Sequence, residues 1–273
     1  MASLILLQAG SAQAGAANLY YERSVAVAAQ SKCRLFEPRL AAALSAATLQ
    51  ARGAALRSGV EATALAATSA RARSRVASVP CADADLRTMA SRVEAGFAGW
   101  SRAARITFPG SRSDWRGDRF ASTSEAWRLV QDGAASGAPV RIGLVGRSPL
   151  DTRLAAVVSF DGAGRPYAAR LLIRNAQVMP RPWLVGDGLP PENARASYFA
   201  TGVRAAEAGV LSVGQRRGDQ WAFPQSAADA LARLDPRETF RIEFLFRDDS
   251  VSVAQFEVGD FAAGRAFLAM GPL

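Results

Sequence analysis

"TFPGSRSDWRGDRF" (Thr107–Phe120) divides this 273-residue chain into two halves written in different patterns. Before it, alanine dominates, turn signals fall about a helix length apart, and no run alternates apolar with polar residues. After it, apolar runs are short and separated by Gly, Pro, Asp and Asn. The stretch itself reads as a linker over residues 108–126. The fold expected is α+β: an N-terminal up-and-down helical bundle of about four helices over 15–107, then a mainly antiparallel sheet domain with short helices over 127–273.

Working back from the linker, "DADLRTMASRVEAGFAGW" (Asp83–Trp100) is the clearest helix. Leu86, Met89, Val93, Phe97 and Trp100 recur at three- and four-residue steps, one continuous apolar stripe. Asp83 and Asp85 suit the positive end of its dipole. Three more helices precede it: Asn18–Lys32, a second from Pro38 through Leu40, Leu44 and Leu49 to Gly59, and a third from Val60 to Pro80. In an up-and-down bundle the first helix's end and the third-to-fourth junction share one end. The only two cysteines, Cys33 and Cys81, fall at those places, so a disulfide is expected with Cα atoms about 4.4–6.8 Å apart.

Working forward, "VRIGLVG" (Val140–Gly146), "LAAVVSF" (Leu154–Phe160) and "YAARLLIR" (Tyr167–Arg174) read as strands, the last two joined as a hairpin through "DGAGRP". The strongest strand is "TFRIEFLF" (Thr239–Phe246), where Phe240, Ile242, Phe244 and Phe246 alternate with Arg241, Glu243 and Leu245. Asp248-Asp249-Ser250 turns it into "VSVAQFEV". Ser226 with Asp229 reads as a capping box before Ala227–Leu234, and a last short helix covers Asp260–Met270.

At the amino end, Leu4 to Leu7 with Ala12-Gln13-Ala14 reads as a signal-peptide remnant over 1–14, its basic start missing. Two cysteines able to pair fit an exported chain better than a reducing cytosol. No apolar run is long enough to span a bilayer, so there is no transmembrane segment. The localisation expected is periplasmic or secreted, in a bacterium.

Charge narrows the partners. The net charge is +9, and all but Lys32 of the 33 basic residues are arginine. Residues 1–107 hold 13 basic and 6 acidic side chains, residues 108–273 hold 20 and 18, so the surplus sits in the helical half. An anionic envelope component or an acidic protein is the partner expected. Nucleic acid is not, since Arg71 and Arg73 point about 200° apart on a helix.

The chain has no histidine, which removes Ser-His-Asp and Cys-His catalysis and the commonest metal ligand. No metal site, cofactor or catalytic set is expected. "GLVGRS" (Gly143–Ser148) lacks the helix a dinucleotide fingerprint requires and reads as strand and turn. Asp248-Asp249 reads as a hairpin turn, and Arg116-Gly117-Asp118 as a chance tripeptide. Two binding candidates remain. Trp183 lies in the proline-rich loop Met179–Asn193, and Arg112, Trp115, Arg116 and Arg119 form a basic-aromatic linker able to meet an anionic glycan, lipid or protein. The function expected is a non-enzymatic exported envelope protein, a partner- or ligand-binding module. The alternative is a histidine-free carboxylate hydrolase acting on envelope glycans.

Overall fold

The computed structural model describes residues 3–160, 164–186 and 188–273, with side chains from Gln13 onward. Four helices come first: α1 (Ser3–Cys33), α2 (Pro38–Arg57), α3 (Ala62–Ala77) and α4 (Ala84–Ser101). Each boundary has a local cause. Pro38 opens α2 where its missing N–H costs nothing, and Gly59 ends it with φ 93°. The Asp83 carboxylate accepts the Asp85 N–H at 2.8 Å and starts α4. The backbone of α1 runs back to Ser3, so residues 3–14 are continuous with the first helix; the side chains of Leu4 to Leu7 lie outside the described residues.

α1 packs along α2 and α3, and α4 lies mainly on α2. Alanines make this close packing possible: Ala43, Ala46, Ala47, Ala51 and Ala55 of α2 are buried. Cys33 and Cys81 are bonded, with Cα atoms 5.6 Å apart, as bundle parity requires. Beside them, Lys32 Nζ donates to the carbonyls of Val76, Ala77 and Val79 at 3.0, 3.0 and 2.7 Å, which end α3. No helix among the described residues is long and apolar enough to cross a membrane.

The second half carries β1 (Arg105–Phe108), β2 (Trp115–Asp118), β3 (Ala126–Ala135), β4 (Ala138–Ser148), β5 (Asp151–Val158), β6 (Ala168–Arg174), β7 (Arg195–Phe199), β8 (Gly202–Ala205), β9 (Asp219–Ala222), α5 (Gln225–Leu231), β10 (Thr239–Leu245), β11 (Val251–Glu257) and α6 (Phe261–Leu268). They pair antiparallel in the order β7-β6-β10-β11-β3-β4-β5-β9-β8, with the β1–β2 hairpin added through β3. The two ends of that path, β7 and β8, are consecutive in the chain. Between them Ala200 N–H donates to Ala169 O of β6, and Thr201 N–H to Ala222 O of β9, each at 2.8 Å. The sheet therefore curls until its ends meet.

Alternation fills the inside of the curl. Phe240, Ile242 and Phe244 are fully buried, Phe240 stacks on Phe256 at 5.4 Å, and Phe244 reaches Trp221 at 6.4 Å. The expected β10–β11 hairpin forms, with Phe244 opposite Ser252. The chain divides into two compact units, Met1–Ala103 with Arg265–Met270, and Ala104–Gly264 with Gly271–Leu273.

Three expectations are corrected. β5 and β6 do not form a hairpin: β5 pairs with β4 and β9, and β6 with β10 and β7. "DGAGRP" crosses between them, and residues 161–163 of it lie outside the described residues. Residues 108–126 are not a free linker, because β2 pairs with both β1 and β3. The helix expected at Ala227 begins at Gln225 after Pro224 without a side-chain cap, and Asp229 instead accepts from Gln225 Nε2 at 3.1 Å.

Candidate functional site

The residues singled out in the sequence fall in separate places. Trp115 and Arg119 are fully buried, not displayed. The strand period explains it: in β2, Trp115 and Gly117 point inward while Arg116 and Asp118 point out. Trp115 Nε1 donates to Val258 O at 2.9 Å and its ring lies 5.0 Å from Phe261, and Arg119 Nε donates to Gly271 O at 2.8 Å. Arg116 is exposed and paired with Asp132 at 2.6 Å. The Arg112 N–H donates to Glu257 Oε2 at 2.7 Å, within a turn whose Ser111 and Ser113 N–H groups serve the same carboxylate. Arg116-Gly117-Asp118 is locked, since Asp118 also binds Arg105 at 2.8 Å. The two glycines of "GLVGRS" serve pairing: a Cβ on Gly143 would lie 1.9 Å from Leu129 O, and one on Gly146 2.0 Å from Asp151 O.

Trp183 is half-buried, and its backbone N–H donates to Glu238 Oε1 at 3.1 Å. Glu238 is buried and holds Arg174 through two hydrogen bonds, at 2.5 and 2.9 Å, while Arg174 also donates to Met179 O. The loop is thus pinned at Met179 and Trp183 by one buried ion pair. Beyond the pin, Leu184 and Val185 are exposed. Asp187 of this loop lies outside the described residues.

The buried carboxylates Glu125, Asp235, Glu238 and Glu257 of the sheet unit are engaged as acceptors. Glu125 binds Arg153 and Arg204, Glu238 binds Arg174, Asp235 binds Arg237 at 2.9 Å, and Glu257 takes backbone N–H groups. At Asp132 desolvation raises the pKa, but hydrogen bonds and charge from Arg116 and Arg141 outweigh that and hold it below the usual carboxylate range. Among the described residues no group of three or more His, Cys, Asp or Glu can hold a metal.

The helical unit presents a different surface. In a closed four-helix bundle α4 would pack on α3, but here the two barely touch. Leu86 is the only fully buried side chain of α4, and Met89, Val93, Phe97 and Trp100 are half covered. The result is a groove of about 870 Å³ walled by α3 and α4 over α1, with Ala26, Leu44, Val76 and the α4 stripe as its apolar lining. Val76, Leu86 and Ala29 form one buried cluster near the disulfide, and the lining runs on to Leu19 and Trp100.

Three arginines line this groove, Arg23, Arg75 and Arg92, together with the carboxylates Glu22, Asp83 and Asp85. Arg23 lies half-buried, donates to Ala47 O at 2.6 Å and sits 5.9 Å from the centre of the Phe97 ring. Burial pushes its guanidinium pKa down, and the Glu22 charge offsets part of that. None of the three pairs with a carboxylate among the described residues. In the sheet unit, by contrast, Arg105, Arg116, Arg141, Arg153, Arg165, Arg170, Arg174, Arg195, Arg204 and Arg237 are each paired. The basic surplus read from the sequence is therefore not spread evenly in its chemistry. Many guanidinium groups of the sheet unit are paired with carboxylates, whereas the three along the groove share its lining with Glu22, Asp83 and Asp85 without pairing to them. Sequence reasoning found the α4 stripe and the surplus separately, but nothing in it showed that α3 leaves the stripe open.

No family model, no curated protein and no solved structure matches the chain.

Proposed function

We propose that the chain is a non-enzymatic binding protein of the bacterial cell envelope, and that its helical unit takes an anionic partner. The observation that carries this reading is Arg23, half-buried in the apolar groove beside the Phe97 ring with no carboxylate partner among the described residues. A desolvated cation is costly unless something compensates it, so Arg23, half-buried with its guanidinium pKa pushed down by burial, favours a bound anion. The Cys33–Cys81 disulfide supports residence in an oxidising compartment. Export through a signal ending at Ala12-Gln13-Ala14 belongs to the same reading, with the mature chain beginning near Gly15. Amino-terminal sequencing of protein from its own cells checks it: Gly15 is expected, and an intact Met1 on cytoplasmic protein contradicts it.

The binding test uses the immobilised full chain and detergent-solubilised envelope extract. A variant carrying Arg23→Gln, Arg75→Gln and Arg92→Gln retains much less anionic material than the wild type. A variant carrying Arg105→Gln and Arg116→Gln, which removes paired sheet arginines, retains the same amount. Equal retention by all three proteins overturns the reading.

A further inference from the structure

Ser24 is buried, and its hydroxyl has no hydrogen-bond partner among the described residues. A helical serine or threonine can donate to the carbonyl four residues back, as Ser31 does to Val27 O at 3.0 Å and Thr48 to Leu44 O at 2.7 Å. Ser24 does not, and a buried polar group without a partner is uncommon and costly. It lines a second groove of the helical unit, about 700 Å³, where α2 and α3 flank α1 and barely touch each other. This groove faces away from α4. Ser24 and Ala28 each stand two residues from Ala26, about 200° round α1, and Ala26 packs toward Met89, Val93 and Phe97 of α4.

Two features of the lining restrict the occupant. The first is side-chain size. Ser24, Ala28 and Ser31 share one face of α1 at four- and three-residue steps, and Ser45 of α2 with Ser69 and Ala77 of α3 continues the small residues onto both sides. Small side chains let another helix backbone come close, as the alanines of α2 do within the bundle. The second is charge. The charged side chains of the lining are Lys32 and Arg73, with no carboxylate among its described residues. Lys32 is committed to the end of α3, but Arg73 is exposed and uses Nη1 on Ser69 Oγ at 2.8 Å, so the rest of its fork can take a carboxylate. We infer that this groove seats an acidic helix of a partner protein, laid along α1. Its small side chains meet Ser24 and Ala28, a carbonyl or carboxylate accepts from Ser24 Oγ, and a carboxylate meets Arg73. The seat is separate from the groove that holds Arg23. A second copy meeting it through a two-fold axis would set two surfaces together whose charged groups are all cations.

The test titrates the full, disulfide-bonded chain into a labelled, stapled helical peptide of about 15 residues, with Ala at four-residue steps on one face and Glu beside it, read by fluorescence anisotropy. A comparison peptide carries Lys at each Glu position. One acidic peptide binds per chain, at least tenfold more tightly than the basic one. Ala28→Leu raises the floor and abolishes binding. Arg73→Glu weakens the acidic peptide at least tenfold and strengthens the basic one. Ser24→Ala removes the unmet hydroxyl, so it melts no lower than the wild type yet binds the acidic peptide severalfold more weakly. Arg75→Gln, in the other groove, leaves binding unchanged. Circular dichroism establishes folding of each variant; should Ala28→Leu unfold, Arg73→Glu and Ser24→Ala carry the result. Absence of binding, equal affinity for the two peptides, or binding untouched by Ala28→Leu, Arg73→Glu or Ser24→Ala overturns the inference. So does displacement of the peptide by an equal concentration of free glutamate, which would reassign the groove to a small organic anion.

Discussion

Lys32 is the one lysine among 33 basic residues, and its position gives a reason. An ammonium carries three donors on a tetrahedral nitrogen, and here each meets one of three carbonyls at the end of α3. A planar guanidinium cannot reproduce that tripod. Lys32→Met is expected to destabilise the helical unit by about 1–2 kcal/mol, from lost charged hydrogen bonds and the helix C-terminus, and Lys32→Arg to recover only part of it. Urea unfolding of the three proteins measures this. At Asp132 the expected effect is on pH. Its folded pKa is depressed, so the stability it contributes is present above the unfolded value and lost as pH falls through the folded one. Asp132→Asn should therefore lower stability near neutrality and narrow its gap from the wild type in strong acid, which unfolding curves across that range would show. Both residues illustrate what the sequence conceals. Trp115 and Arg119 look like a display of basic and aromatic groups until the period of β2 turns them inward.

At the scale of elements, legibility follows the range of the interaction. The α4 stripe and the β10 alternation are local patterns, and both form as read. Helix parity joins Cys33 to Cys81 over 48 residues because an up-and-down bundle leaves few alternatives. Closing that loop contributes about 4 kcal/mol in the chain-entropy model. The double variant Cys33→Ser/Cys81→Ser should lose about that much from a helical-unit transition, with the sheet-unit transition unmoved; differential scanning calorimetry distinguishes the two. Strand partners are another matter. β5 and β6 flank a turn-like stretch, yet each finds other neighbours, since a curled sheet closed through Ala200 and Thr201 is set by pairings distant in sequence. The open face of α4 is equally invisible, because a stripe records which residues are apolar and not which of them a neighbour covers.

Across the whole molecule, arginine occurs in two kinds of surroundings. On the sheet many guanidinium groups are matched to carboxylates, and along the groove Arg23, Arg75 and Arg92 are not; the proposed function gives these an external anion. The basic surplus of residues 1–107 hinted at this division, and only the pairing gives it meaning. In-cell photo-crosslinking tests it most directly, with a photoreactive residue placed in turn at Val93 in the groove, Leu184 on the exposed tip of the Trp183 loop, and Val251 on the outer face of the sheet. Mass spectrometry of the recovered full chain should show a ligand adduct from position 93, and none from 184 or 251. Adducts from 184 or 251 with none from 93 would move the binding function to the sheet unit and contradict the account.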